Sequence, residues 1–327
     1  MKKYVIKKSP AELHIVHPQR FLIDYKNELN TAQYEAVTSV NGPHLVIAGA
    51  GTGKTRTIVY RVAYLVELGV KPEHILLLTF TRKAAQEMLR RATILLDARC
   101  EKVAGGTFHS FANNVLRKYA HLIGYGRDFT ILDQGDAADT INLIRTRLKF
   151  DTKERRFPRK ETLYDLYSRS VNTQSSLPDL VSIDYPHYLE DVQDIQKVHA
   201  LYDEYKKTHN LMDYDDLLVN QIKLLKQDEH VRDELSTRYK YIMVDEYQDT
   251  NALQSTIIQL LAHKHNNIMV VGDDSQAIYA FRGATIRNIL EFPDLFRDCT
   301  VVKLEENYRS TQAILNVANE ILSRAME

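Results

Sequence analysis

The sequence predicts an α/β protein: a mainly parallel sheet, with a helical subdomain inserted into the chain that builds it. Three observations point there. A glycine-rich stretch, Ala48 to Thr55, stands between a short apolar run, His44 to Ile47, and a helical pattern, Ile58, Val59, Val62, Ala63 and Val66. Further apolar runs at Ile75–Thr79, Tyr241–Val244, Ile268–Val271 and Val301–Leu304 each give way to a polar stretch, as strands covered on both faces do. From about 112 to 210 the glycines thin out and charged helical patterns dominate, with Val192, Ile195, Val198, Leu201, Tyr202 and Tyr205 at helical spacing.

Taken in order, residues 1 to about 28 read as a leader with four lysines near its start, either a solvated tail or an added strand. Leu29 to Val37 reads as a short amphipathic helix. Its Gln33 can accept and donate at once, as reading a base edge requires, but a surface glutamine is the default. The next stretch, strand, glycine-rich turn and helix, is the setting of a phosphate-binding loop. Gly49, Gly51 and Gly53 let backbone N–H groups crowd a polyphosphate, and the helix N-terminus adds partial positive charge. Ala48 stands where glycine is usual, and Ala50 and Thr52 complete the turn. Lys54 is placed to reach the β- and γ-phosphates, and Thr55 to put its hydroxyl on Mg²⁺.

Beyond a break at Gly69 and Pro72, the strand Ile75–Thr79 leads into Phe80-Thr81-Arg82-Lys83 and a helix. A third strand, Val103 to Thr107, ends in Thr107-Phe108-His109-Ser110. Both strand ends combine hydroxyls, a ring and cations, a mixture that suits a nucleic-acid strand: polar groups for phosphates, rings for bases. They equally suit helix capping by Thr and Ser with Phe in the core, and the residues leave both readings open. The densest basic run, Lys153 to Lys160, fits either a phosphate backbone or a solvated face, and Asp213, Asp215 and Asp216 look like helix-start acids.

The strand Tyr241–Val244 ends in Asp245-Glu246-Tyr247-Gln248-Asp249-Thr250. Opposite a phosphate loop, two acids divide the work: Asp245 holds Mg²⁺, and Glu246 orients and deprotonates a water. After Ile268–Val271, Gln276 is placed to touch a γ-phosphate, and Tyr279, Phe281 and Arg282 alternate just beyond it. These rings form either a stacking surface, where each base contributes roughly 1–3 kcal/mol, or a core pair.

The 327 residues carry 43 Lys+Arg and 43 Asp+Glu, so any basic surface must be local. Cys100 and Cys299 form no CxxC, and the 12 histidines show no metal-ligand spacing, so no structural metal is expected; His263 and His265 read as solvated. A reducing, cytoplasmic setting fits. No apolar run approaches the ~20 residues a membrane helix needs, and the start lacks the apolar core of a signal peptide.

These residues resemble superfamily 1A DNA helicases of the UvrD/PcrA/Rep type. The blocks fall in family order from about Asn30 to Ser310: Gln33, the phosphate loop, TFTRKAA, GTFHSF, DYDDL, VDEYQDTN, GDDSQAIYAFRGA and ENYRS. The resemblance implies a RecA-like P-loop NTPase fold that uses ATP and Mg²⁺ to move 3′ to 5′ along single-stranded DNA and to unwind duplex–single-strand junctions. It assigns Gln33 to the adenine, Tyr308 to stacking on it, and Arg56 to its vicinity. It assigns Gln276 and Arg309 to the γ-phosphate, and Phe80, Thr107, His109, Tyr279, Phe281 and Arg282 to the DNA strand. Phe281 stands where tryptophan is frequent, and Arg82 where asparagine is. The implied division is a leader to 28, a RecA-like core at 29–111 and 211–312, a helical insertion at 112–210, and a connection at 313–327 toward a second RecA-like domain. Without that domain the chain is expected to bind Mg·ATP weakly, to hydrolyse it slowly and not to unwind DNA. Two rivals remain: an ATP-gated DNA-binding module without motor activity, and the helicase half of a RecB/AddA-type helicase–nuclease.

Overall fold

A computed structural model describes residues 21–150, 156–278 and 283–325. The strands are β1 (Pro43–Ala48), β2 (Ile75–Thr79), β3 (Ala104–Thr107), β4 (Thr130–Ile131), β5 (Leu211–Met212), β6 (Tyr241–Val244), β7 (Ile268–Gly272) and β8 (Thr300–Leu304). Six of them form one sheet in the order β3-β2-β6-β7-β1-β8, and every pairing in it is parallel. Val46 of β1 lies opposite Val271 of β7 and Val302 of β8.

Helices cover both faces, which is why β1, β2, β6 and β7 are buried almost throughout, while β3 and β8 at the edges are partly exposed. The first ones are α1 (Tyr25–Glu28), α2 (Thr31–Thr38), α3 (Lys54–Glu67), α4 (Arg82–Leu95) and α5 (Phe108–Tyr119). Within the insertion lie α6 (Gln134–Arg147), α7 (Lys160–Thr173), α8 (Leu177–Asp184) and α9 (Val192–Thr208). The chain then returns through α10 (Tyr214–Gln227), α11 (Glu229–Arg238) and α12 (Ala252–Ala262), and closes with α13 (Arg287–Leu290), α14 (Phe292–Leu295) and α15 (Gln312–Ala325). Alternate strand residues divide between two cores, as a period of two requires. Leu76, Leu78, Ile242, Val244 and Val270 pack with α5, α10 and α12, while Val46, Leu77, Met243, Met269 and Val271 pack with α3 and α4.

Three expectations are corrected. Of the leader, read as a solvated tail or an added strand, residues 1–20 lie outside the described residues and the remainder is neither: α1 forms there, Ile23, Tyr25 and Leu29 are buried against Val37, Tyr60 and Ala63, and Phe21 stacks on Tyr64. Nor does the core end at 111, because α5 is amphipathic and sends Ala112, Val115, Leu116 and Tyr119 into the core beneath the sheet. The insertion's own core starts at Leu132 and runs to Tyr202. His265 is not solvated: it is half-buried, its Nε2 has no partner, and burial pulls its pKa down to about 4. His263 is the exposed one of the pair and meets Asp233 at 2.8 Å.

The insertion is clipped at its base. Thr130 N–H donates to Asn210 O at 3.0 Å and Leu132 N–H to Met212 O at 2.8 Å, which pairs β4 with β5. Beside the clip Lys206 is buried, with Asp213, Asp216 and Asp203 at 2.8, 2.7 and 3.3 Å. Burial alone would lower the lysine's pKa, but those carboxylates outweigh it and hold the pKa above the usual range. Asp213 caps α10 with Asp216 in a reciprocal capping box, the helix-start role its sequence suggested. Of the basic run at 153–160, residues 153–155 lie outside the described residues, Phe157 is buried, and Lys160 pairs with Asp139. Among the described residues no helix is long and apolar enough to cross a membrane, and no cluster of three His, Cys, Asp or Glu is arranged to hold a metal.

Candidate active site at the carboxyl ends of the parallel strands

Open parallel sheets bind ligands outside the carboxyl ends of their strands, where the strand order reverses. Here β1 ends in the glycine-rich loop, while its α3 crosses over toward β2 on the far side of β7 and β6. Gly51 and Gly53 adopt φ of +83° and +94°, which few other residues tolerate. They also allow close approach. A Cβ on Gly51 would stand 2.7 Å from Arg309 Cβ, and one on Gly53 would stand 2.6 Å from Gln33 Nε2. Thr52 closes the turn by donating to Gly49 O at 2.8 Å, and Ala48 is fully buried at the strand end.

The residues expected at the phosphates converge. Ala50, Gly51, Gly53, Lys54, Thr55, Arg56, Glu246, Gln276, Tyr308 and Arg309 line one cleft. Lys54 Nζ lies 2.9 Å from Glu246 Oε2. Glu246 itself sits in the left-handed region, φ 49° and ψ 50°, the kind of strain found at functional sites. Asp245 is buried behind it and its Oδ1 has no hydrogen-bond partner. Burial first, then the Glu246 charge, pushes the Asp245 pKa up to about 7. An unsatisfied carboxylate oxygen in a cleft that Thr55 also lines fits a divalent cation, a hard ion that takes oxygen ligands. Asp249 is raised to about 6 for the same two reasons, burial first, and its Oδ1 is also unpartnered.

The end of the cleft at Gln33 and Tyr308, where a nucleoside is expected, is built by contacts that sequence spacing does not show. Gln33 is not a surface glutamine: it is 2% exposed, and its Nε2 donates to Thr52 O at 3.0 Å. It shares a capping box with Asn30, whose Nδ2 donates to the Tyr308 hydroxyl at 2.8 Å. The loop after β8 clasps the phosphate loop, with Asn307 Nδ2 donating to Ala50 O at 2.6 Å and Tyr308 N–H to Gly51 O at 2.9 Å. Arg56 donates to Glu28 O at 2.7 Å and lies over the Tyr60 ring.

The residues assigned to a DNA strand are more dispersed. Phe80 lines the cleft beside Asp245 and is 36% exposed. Thr107 and His109 lie at the end of edge strand β3 and do not line it. Thr107 caps α5, Thr81 caps α4 and Phe108 is buried, as the capping reading has it. His109 packs edge-on against Tyr214. Tyr279, Phe281 and Arg282 lie outside the described residues. Two residues were missed. Arg91 lines both parts of the cleft from α4, where its pairing with Glu87 at helical spacing disguised it as a surface ion pair. Gln248, 2% exposed, was passed over between the acids it supports.

Residues 29–297 match the UvrD/REP helicase N-terminal domain family. The chain is 38% identical over 307 residues to the ATP-dependent DNA helicase PcrA of Staphylococcus aureus, covering 92% of this chain and 40% of that protein. It is equally 38% identical over 306 residues to the PcrA of Staphylococcus epidermidis, covering 91% and 40%. The chain thus spans about 40% of the length of the curated relatives it matches.

Proposed function

The chain belongs to the UvrD/REP helicase N-terminal domain family, and from that premise we propose that its cleft binds Mg·ATP and hydrolyses it to drive 3′-to-5′ movement along single-stranded DNA. The observation that carries this reading is the 2.9 Å approach of Lys54 to Glu246, in front of the unpartnered Asp245 oxygen. Bound Mg·ATP supplies the phosphoryl group whose transfer to water releases the energy. The chain's part is to place charge around it. Lys54, Arg309 and the loop amides receive the phosphate oxygens, Thr55 and Asp245 hold the metal, and Gln276 faces the γ-phosphate. Glu246 orients the water and takes its proton. Gln33, Arg56 and Tyr308 hold the nucleoside.

Phe80, Thr107, His109, Tyr279, Phe281 and Arg282 are the residues we assign to the DNA strand, with duplex–single-strand junctions as the substrate and the cytoplasm as the setting. A second RecA-like domain is the partner that fits the open side. Tyr308 is 63% exposed there, and α15 presents Ile314, Val317 and Ile321 to solvent. Alone, the 327 residues hydrolyse ATP slowly and do not separate strands. An arginine supplied in trans typically accounts for roughly 10³–10⁵ in rate in phosphoryl-transfer switches.

The test is phosphate release with and without an oligo-dT strand. Wild type is expected to be accelerated by the strand, and Phe281→Ala to bind the strand more weakly while keeping its affinity for Mg·ATP. Hydrolysis indifferent to DNA would favour a DNA-binding module without motor activity.

A further inference from the structure

We propose that Gln248 is a positioning residue for Glu246, holding its carboxylate through a side-chain amide whose orientation the fold dictates. The inference rests on the reading of Glu246 as the group that faces the attacking water. Gln248 sits in a short 3₁₀ turn, Tyr247–Asp249. One end of its amide accepts the Asp273 backbone N–H at 3.0 Å. A backbone N–H can only donate, so the atom facing it is Oε1, and Nε2 must point the other way. That other way is Glu246 Oε2, at 2.9 Å. Turning the amide over would set donor against donor and acceptor against acceptor.

Glu246 needs such an anchor. Its backbone is left-handed, and its side chain is 36% exposed. Lys54 reaches the same Oε2 at 2.9 Å, but Lys54 is also the group that phosphate oxygens recruit. Gln248 is buried and tied to β7, so it stays. Asp273, which fixes the amide, also accepts from Gln276 Nε2 through its carboxylate. One short chain of hydrogen bonds therefore joins the base to the side chain facing the γ-phosphate. Gly272 leaves room for it, since a Cβ there would stand 2.7 Å from Gln248 Oε1 and 2.9 Å from Ile289 Cδ1.

Gln248→Met keeps the volume and removes both hydrogen bonds. Gly272→Ala keeps Gln248 itself but crowds its amide, with a methyl standing 2.7 Å from Oε1. In each, kcat for ATP hydrolysis is expected to fall roughly 10- to 100-fold while affinity for a fluorescent Mg·ATP analogue changes by less than about twofold, because misplacing a reacting group costs rate, not binding. A second readout needs no nucleotide. The Gln248 side-chain amide signals in a ¹⁵N spectrum, identified by their loss in Gln248→Met, are expected to move in Glu246→Gln. Amide signals that stay put, or full kcat in Gln248→Met beside an inactive Glu246→Gln, would overturn the positioning role alone. Glu246→Gln hydrolysing as fast as wild type would overturn the role of Glu246 itself, and the inference with it.

Discussion

Arg61 shows how much a single residue can hold. It is fully buried on α3, and its guanidinium donates to the carbonyls of Ala36, Ser39 and Val40 at the end of α2. Burial lowers its pKa only to about 10, so the charge remains at neutral pH and completes the helix terminus. Because α2 carries Gln33, Arg61→Met is expected to destabilise the chain by about 2–4 kcal/mol in urea unfolding and to weaken nucleotide binding as well. His44 makes the complementary case. It is fully buried, its Nδ1 is bonded to Gly42 O, and burial pulls its pKa to about 4; His265 is lowered to a similar value. Both must gain a proton when the chain unfolds in acid. Their contribution is therefore complete above the ordinary histidine pKa of about 6.5 and is lost as pH falls toward 4. Melting temperature is expected to drop between pH 7 and 5, and less steeply in His44→Leu. An unchanged slope would remove the histidine from the account. The Arg61 partners are not written in local sequence, since each lies more than 20 positions away.

At the scale of elements, the strands were legible to within a residue or so because β1, β2, β6 and β7 are apolar on both faces and each is followed by a polar stretch. The glycine-rich turn between β1 and α3 was legible because its glycines meet a geometric demand, positive φ at Gly51 and Gly53. Helix α5 was misread because its alternation of Phe111, Ala112, Val115 and Leu116 with polar residues looks the same whether it packs on the sheet or on an insertion. The union of the phosphate loop with residues 307–309 was invisible for another reason: it is made by the backbone at Ala50 and Gly51. Gly51→Ala tests it. A methyl there meets Arg309 and Asn307 at under 3 Å, on a backbone that L residues avoid. Nucleotide affinity is expected to fall at least about tenfold, since both the loop and the Arg309 side chain must shift. Affinity like that of wild type would show that the two loops are not joined in solution.

For the whole molecule, the question is how a helical insertion and an α/β core act as one body. They share the β4–β5 clip, the Lys206 cluster and Asn172. Asn172 on α7 donates to Asp215 at 2.7 Å and accepts from Asn251 at 2.7 Å, just past the acids of the site. Lys206→Met would leave the buried Asp213 and the half-buried Asp216 without their cation. Breaking such a cluster costs about 3–5 kcal/mol, and unfolding in urea is expected to show it. The sequence carried Asp213, Asp215 and Asp216 as helix-start acids but not Lys206, which lies on a helix of the insertion and gathers two of them, Asp213 and Asp216.

The nucleotide site remains the centre of the account, and equilibrium binding tests it most directly. A fluorescent ATP analogue titrated into the chain with and without Mg²⁺ should bind saturably and more tightly with the metal. Lys54→Ala should lose roughly 100-fold in affinity, the scale of about 2.7 kcal/mol that a buried charge-assisted contact supplies. Binding that ignores both the metal and the lysine would place the nucleotide elsewhere and contradict the reading of the cleft.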